Sequence, residues 1–290
     1  MTKETWEKRI AYLGPEASFT YLAAKGLYPH DWHVPYATIP ECIEAVSEGK
    51  VDLAVVPVEN ALEGSVPLTV DYLFHEADLY VTAEVLSKIQ QHLLVNKKFT
   101  ESWQEVTKVY SHPHALAQCH KYLYYNLANA QQMSYSSTAA AAKLVSETTN
   151  ECIAAIGNSS AAEKYDLHIA QENVHDFHFK HTRFFVLSKK NTRHAIVPLK
   201  AQPKTTFMVR LPVDVSGALH QLLSVFAWRK LNLSKIESRP LKTGLGDYFF
   251  IVDILADEQE AMMKGAIEEL GALGCKVKTL GTYFTYMTPE

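Results

Sequence analysis

The sequence predicts an α/β protein made of two unlike parts, and three observations carry that prediction. Short apolar runs alternate with amphipathic stretches over the first two thirds of the 290 residues. A basic segment with two prolines, Lys189 to Lys204, then breaks the rhythm and reads as a linker. Beyond it the order becomes strand, helix, strand, strand, helix, strand, the split βαβ arrangement of ferredoxin-like units.

Each element follows from local chemistry. Ile10 to Leu13 is an apolar run stopped by Gly14-Pro15. Ser18 to Leu27 and Pro40 to Glu48 carry helical periodicity, the second with Thr38 as N-cap and Gly49 as stop. Asp52 to Val58, Val109 to Ser111, Cys152 to Ile156 and Arg183 to Leu187 read as buried strands, with helices over Pro113 to Tyr125 and Thr138 to Glu147 between them. Such alternation predicts a largely parallel sheet covered on both faces, with ligands beyond the carboxyl ends of its strands. In the second part, strands are expected at Thr205 to Leu211, Leu233 to Ile236, Tyr248 to Leu255 and Lys276 to Phe284, with helices over Ser216 to Lys230 and Asp257 to Leu273.

Hydrophobic residues make up 47% of the chain and charged residues 21%, enough for real cores and unlike a disordered or low-complexity chain. Twenty-eight Lys+Arg against 32 Asp+Glu leave a net charge of -4, so no basic stripe is available and a nucleic-acid partner is not expected. The opening MTKETWEKR lacks the apolar core of a secretory signal, and no apolar run approaches the ~20 residues of a membrane helix. Four scattered cysteines, Cys42, Cys119, Cys152 and Cys275, read as reduced thiols of a cytoplasmic protein.

Four junctions hold polar clusters instead of plain turns: Gly14 to Thr20, Pro57 to Asn60 with Gly64-Ser65-Val66, Ser111-His112-Pro113-His114, and Ser136-Ser137-Thr138. Hydroxyls at helix N-termini suit a small anion, although each cluster alone also reads as ordinary capping. His175, His178 and His181 recur every three residues, but no matched carboxylate or cysteine set accompanies them, so a metal centre is not expected. Glycine-rich phosphate loops and a G-x-S-x-G nucleophile turn are both missing from the sequence.

These clusters belong to one ordered series. Gly14-Pro15-Glu16 with Phe19, Val56-Pro57-Val58-Glu59-Asn60 with Gly64-Ser65-Val66, Ser111-His112-Pro113, Ser137-Thr138-Ala139-Ala140-Ala141 and Ala155-Ile156-Gly157-Asn158 lead to His181-Thr182-Arg183-Phe184. The series resembles the prephenate dehydratases, whose hallmark is a Thr-Arg-Phe triplet. The second part is similar to their ACT regulatory domain, with Gly217-Ala218-Leu219-His220 and Glu237-Ser238-Arg239-Pro240 matching its two phenylalanine-site motifs. The resemblance runs from about Arg9 to Phe284. Two positions depart from it: Lys180 stands where asparagine is frequent, and Ala17 where glycine is usual.

The resemblance implies a type II periplasmic-binding-protein-like catalytic part in two lobes over residues 1–190. A linker over 191–203 and an ACT domain over 204–290 would follow it. It leaves no room upstream for a fused chorismate mutase domain. The implied reaction is the decarboxylating dehydration of prephenate to phenylpyruvate, in L-phenylalanine biosynthesis, without metal or cofactor. Thr182, Arg183 and Phe184 are the expected catalytic residues, and Glu59, Asn60, Ser65, Ser111, Ser137, Thr138 and Asn158 the expected substrate-binding ones. L-phenylalanine is the expected effector, bound by Gly217, Ala218, Leu219, His220, Asn232, Leu233, Ser234, Glu237, Ser238, Arg239 and Pro240 in a homodimer joined through ACT domains, or a homotetramer. The Thr182 hydroxyl suits donation to the departing ring hydroxyl. The Arg183 fork suits the pyruvyl carboxylate; the alternative is an internal pair with Glu59. The alternative function is a non-catalytic receptor for a small anion.

Overall fold

The computed structural model describes residues 8–61, 64–176, 181–194, 201–213, 215–241 and 248–288. They form two compact units, one from Met1–Val70, Val85–Phe184 and Met287–Glu290, the other from Asp71–Glu84 and Phe185–Tyr286.

The first unit has two lobes. The chain begins one with β1 (Arg9–Leu13), α1 (Phe19–Leu27), β2 (Trp32–Tyr36), α2 (Ile39–Ser47), β3 (Leu53–Asn60) and the short β4 (Gly64–Ser65); α3 (Pro67–His75) and β5 (Tyr80–Lys88) follow, and their residues within Asp71–Glu84 are counted with the second unit. β1 pairs in parallel with β2 and β3, and β4 turns back antiparallel on β3. The caps read from the sequence are present: Ser18 Oγ accepts the Tyr21 N–H, Thr38 Oγ1 accepts the Glu41 N–H, and Gly49 has φ +77° past the end of α2.

After the short crossing Ile89–Gln91 the chain builds the second lobe. Its elements are β6 (His92–Asn96), a 3-10 stretch (Lys97–Glu105), β7 (Lys108–Ser111), α4 (Pro113–Gln118), α5 (His120–Asn126), β8 (Gln131–Ser134), α6 (Thr138–Glu147), β9 (Ile153–Gly157), α7 (Ser159–Lys164) and β10 (Leu167–Gln171). The strand order is β10-β6-β9-β7-β8. Alternation along the strands covers both faces: Leu93, Val95 and Ile156 pack with α4 and α5, while Leu94, Ala155 and Ile153 pack with α6 and α7. The chain then returns as β11 (His181–Ser188), beside β3.

Two expectations need correcting. There are two sheets instead of one, and the second is mixed, with β7 parallel to β8 and β9 but β6 antiparallel to β9 and β10. A lobe that the chain enters and leaves at one end needs strands running both ways. The helix expected over Pro113 to Tyr125 is broken at Cys119 (φ -114°, ψ 18°), and the Asp176 carboxylate accepts the N–H groups of Lys121 and Tyr122 at the new start.

In the second unit, β12 (Lys204–Arg210), α8 (Ala218–Ala227), β13 (Leu233–Pro240), β14 (Tyr248–Ile254), α9 (Ala261–Ala272) and β15 (Lys276–Tyr283) form an antiparallel sheet in the order β13-β14-β12-β15, followed by β16 (Thr285–Met287). Phe207, Val209 and Phe250 pack against Leu222 and Phe226 of α8 and Met263 and Leu270 of α9. The opposite face carries Phe249, on which Phe74 of the Asp71–Glu84 segment stacks at 3.8 Å. That segment is tied further by Arg239 donating to Asp71, Lys278 Nζ donating to the carbonyls of Leu73 and Ala77, and Lys204 paired with Glu84 at 2.7 Å. Among the described residues no helix is long and apolar enough to cross a membrane, and the four cysteines are free thiols.

Candidate active site

A cleft of about 420 Å³ opens in the first unit at the carboxyl ends of β1, β3, β7 and β8. One lobe contributes Leu13, Gly14, Ser18, Phe19, Thr20, Ala37, Asn60 and Thr182. The other contributes His112, His114, Ala115, Gln118, Ser136, Ser137 and Thr138, and the first crossing adds Ile89 and Gln91. None of these lining residues is Lys, Arg, Asp or Glu. What the cleft offers an anion is the N-terminus of α1, capped by Ser18, and that of α6, capped by Ser137, whose Oγ accepts the Ala140 N–H at 3.0 Å.

The Thr-Arg-Phe triplet is divided by strand alternation. Thr182 faces the cleft, and its Oγ1 receives the Asn60 Nδ2–H at 3.4 Å. Arg183 does not line the cleft; its Nη1 donates to Glu59 Oε2 at 2.5 Å, in a pair largely removed from solvent. Phe184 is buried in the core. Glu59 and Asn60, adjacent on β3, thus meet Arg183 and Thr182, adjacent on β11. Of the two readings of Arg183, the internal pair is the geometry found.

The remaining expected residues fall into two groups. Asn60, Ser137, Thr138 and Thr182 line the cleft, and Ser65, Ser111 and Asn158 do not. Ser111 is buried and donates to the Ile156 carbonyl at 2.7 Å. Asn158 caps α7, and its Nδ2 donates to the Ala17 carbonyl of the loop after β1. Ser65 is half-buried on β4 opposite Glu59. Beyond the expected set the cleft gains Gln91 and Gln118; Gln118 follows the apolar Ala115-Leu116-Ala117 run, whereas Gln91 lies between polar Gln90 and His92 and carries no such signal.

In the second unit, Gly217 opens α8 with φ +87°, a conformation glycine adopts without penalty, and is followed by buried Ala218 and exposed Leu219 and His220. Asn232 precedes β13, which carries Leu233, Ser234, Glu237, Ser238, Arg239 and Pro240; Ser234 Oγ donates to the Asp253 carbonyl, and Arg239 is held by Asp71. Of the histidine series, the His175 Nδ1 accepts the Gln91 N–H, His181 begins β11, and His178 lies outside the described residues, as does Lys180. Among the described residues no three side chains form a metal-holding group.

The prephenate dehydratase family model matches residues 10–192. The chain is 50% identical over 282 residues to the prephenate dehydratase of Bacillus subtilis (strain 168), covering 96% of this chain and 99% of that one. Among solved structures, prephenate dehydratase from Arthrobacter aurescens in complex with L-Phe matches with TM-score 0.84 and 31% identity, over 95% of this chain and 89% of that one. GqqA, a quorum quenching acylase, matches with TM-score 0.81 and 26% identity, over 96% and 98%. Backbone similarity of this order therefore spans two named activities. The chain belongs to the prephenate dehydratase family, hydro-lyases that also decarboxylate prephenate.

Proposed function

We propose that the cleft converts prephenate to phenylpyruvate with Thr182 as the hydrogen-bond donor to the departing hydroxyl. The observation that carries this reading is the Asn60–Thr182 contact at the cleft wall. A hydrogen bond donated into Thr182 Oγ1 occupies one of its lone pairs and leaves the O–H to point at a ligand. In the reaction the bond from the ring to its carboxylate breaks and releases carbon dioxide. The freed electron pair moves through the ring, and the carbon–oxygen bond opposite breaks to release hydroxide, which is neutralised by a proton from the buffered solvent. Aromatisation drives the change, and the protein supplies orientation and a donor for the developing charge.

The departing carboxylate loses its charge in the transition state, so a tight cationic clamp on it would stabilise the ground state and slow the reaction. A cleft that meets anions with helix N-termini and hydroxyls suits that requirement. Ser137 and Thr138 receive a substrate carboxylate, while Arg183, Phe184, Glu59, Ser65, Ser111 and Asn158 hold β11, β3 and the neighbouring loops in place.

Residues 204–290 act as the regulatory ACT domain, with 1–190 catalytic and 191–203 between them. L-phenylalanine binds at the Gly217 turn and the β13 residues and inhibits, in a homodimer or homotetramer of a cytoplasmic enzyme. Support comes from the βαββαβ order, the positive φ of Gly217 and the L-Phe complex of the Arthrobacter relative. Purified protein given prephenate should form phenylpyruvate at neutral pH with EDTA present; no product would overturn the catalytic reading. Calorimetry should show L-phenylalanine binding that weakens in Gly217→Val, and that weakens by the same factor whenever a substrate analogue occupies the cleft as the analogue does under L-phenylalanine. Unchanged affinity in Gly217→Val would move the effector site elsewhere.

A further inference from the structure

We propose that Gln91 positions the substrate by accepting a hydrogen bond from its ring hydroxyl, an assignment that rests on the prephenate reading above. Gln91 belongs to the first crossing between the lobes, where its backbone is held from both sides: its N–H donates to His175 Nδ1 at 3.4 Å and its carbonyl accepts the Val174 N–H at 2.8 Å. The side chain lines the cleft together with Asn60 and Thr182. Gln91 is only 3% exposed, and no donor among the described residues reaches its Oε1.

A buried amide oxygen without a partner destabilises the fold, and nearly all buried polar atoms in folded proteins avoid that cost. An acceptor buried beside the cleft without a protein donor is matched to a donor that arrives with the ligand. Prephenate narrows the choice by its own chemistry. At neutral pH both carboxylates are ionised and the keto oxygen only accepts, so the ring hydroxyl is the molecule's sole hydrogen-bond donor. Its proton directed at Gln91 leaves the hydroxyl lone pairs for Thr182. As the carbon–oxygen bond breaks, the oxygen gains charge and its O–H becomes a weaker donor. The Gln91 contact is therefore at least as strong in the bound substrate as in the transition state, and it acts on KM more than on kcat.

The test starts with turnover of prephenate by the unaltered protein, whose failure would overturn the functional reading and say nothing against Gln91. Gln91→Met keeps the volume and removes the acceptor. KM should rise about tenfold with kcat within about threefold, and the ligand-free variant should unfold at or above the wild-type temperature because an unsatisfied group is gone. Two saturated-ring analogues of prephenate, one with the ring hydroxyl and one without, supply the decisive comparison. The wild type should prefer the hydroxylated one about tenfold, and Gln91→Met should bind both alike. Unchanged KM, a retained preference in Gln91→Met, or a lowered unfolding temperature with both analogues weakened equally would each overturn the proposal.

Discussion

Between β12, β14 and β15, Thr206 Oγ1 donates to Asp253 Oδ1 at 2.7 Å and lies 2.6 Å from the Tyr283 hydroxyl. Beside it Thr205 Oγ1 donates to the Ala256 carbonyl and contacts Thr282 Oγ1 at 2.8 Å. All of these side chains are buried, and each has protein partners. The cleft of the first unit also buries polar groups, yet Gln91 Oε1 has no donor among the described residues, and Thr182 makes a long contact of 3.4 Å with Asn60. A closed network holds sheet strands in register, whereas on the proposed reading the incomplete one reserves its bonds for a ligand. That reading separates polar burial that stabilises the fold from polar burial proposed to serve the reaction.

The strongest way to break this contrast is at Thr182. Thr182→Val removes a donor that the folded protein hardly uses, so kcat should fall by roughly two orders of magnitude or more with little change in unfolding temperature. Near-normal kcat would take Thr182 out of the mechanism. Thr206→Val should do the opposite: the Asp253 carboxylate loses a buried donor, stability falls by about 1–3 kcal/mol in denaturant titration, and kcat stays at the wild-type level. Lost turnover in a folded Thr206→Val protein would erase the distinction between the two networks.

A smaller effect sharpens the picture at Gly217, where φ +87° strains any side chain although open space surrounds the position. Gly217→Ala should cost about 1 kcal/mol of stability, seen as a lower denaturation midpoint. The smallest concerns His92, buried at the start of β6, with Nδ1 accepting the Asn173 N–H. Burial lowers its pKa below the ordinary 6.5. As pH falls through 6.5 the unfolded chain therefore takes up the proton before the folded one, and stability declines from that pH downward until the folded-state pKa is passed. His92→Asn retains an acceptor for Asn173 and should flatten the acid side of a denaturation-midpoint profile; an unchanged slope would assign the decline to other groups.

Elements whose own residues decide them were legible in the chain. Thr138–Glu147 is helical because an alanine-rich stretch follows a serine cap, and the strands of the second unit because apolar alternation is confined to short runs between turns. Thr182, Asn60, Ser137 and Thr138, expected from their places in the motif series, all line the cleft. β2, with no buried residue, lacked the apolar signal that reveals a strand. Gln91 was invisible because a glutamine before an apolar run reads as a loop residue until the fold closes around it.

What the sequence by itself determined was local: where helices start and stop, which runs are apolar, and which motifs stand in series. Tertiary structure decided what depends on contacts between distant residues. It alone placed the crossing at Ile89–Gln91 between the lobes of the first unit, paired Arg183 with Glu59 across 124 positions and laid the Asp71–Glu84 segment on the face of the C-terminal sheet. Periodicity reports only whether a residue is to be buried; which partner buries it is settled by packing, where chain distance has no meaning.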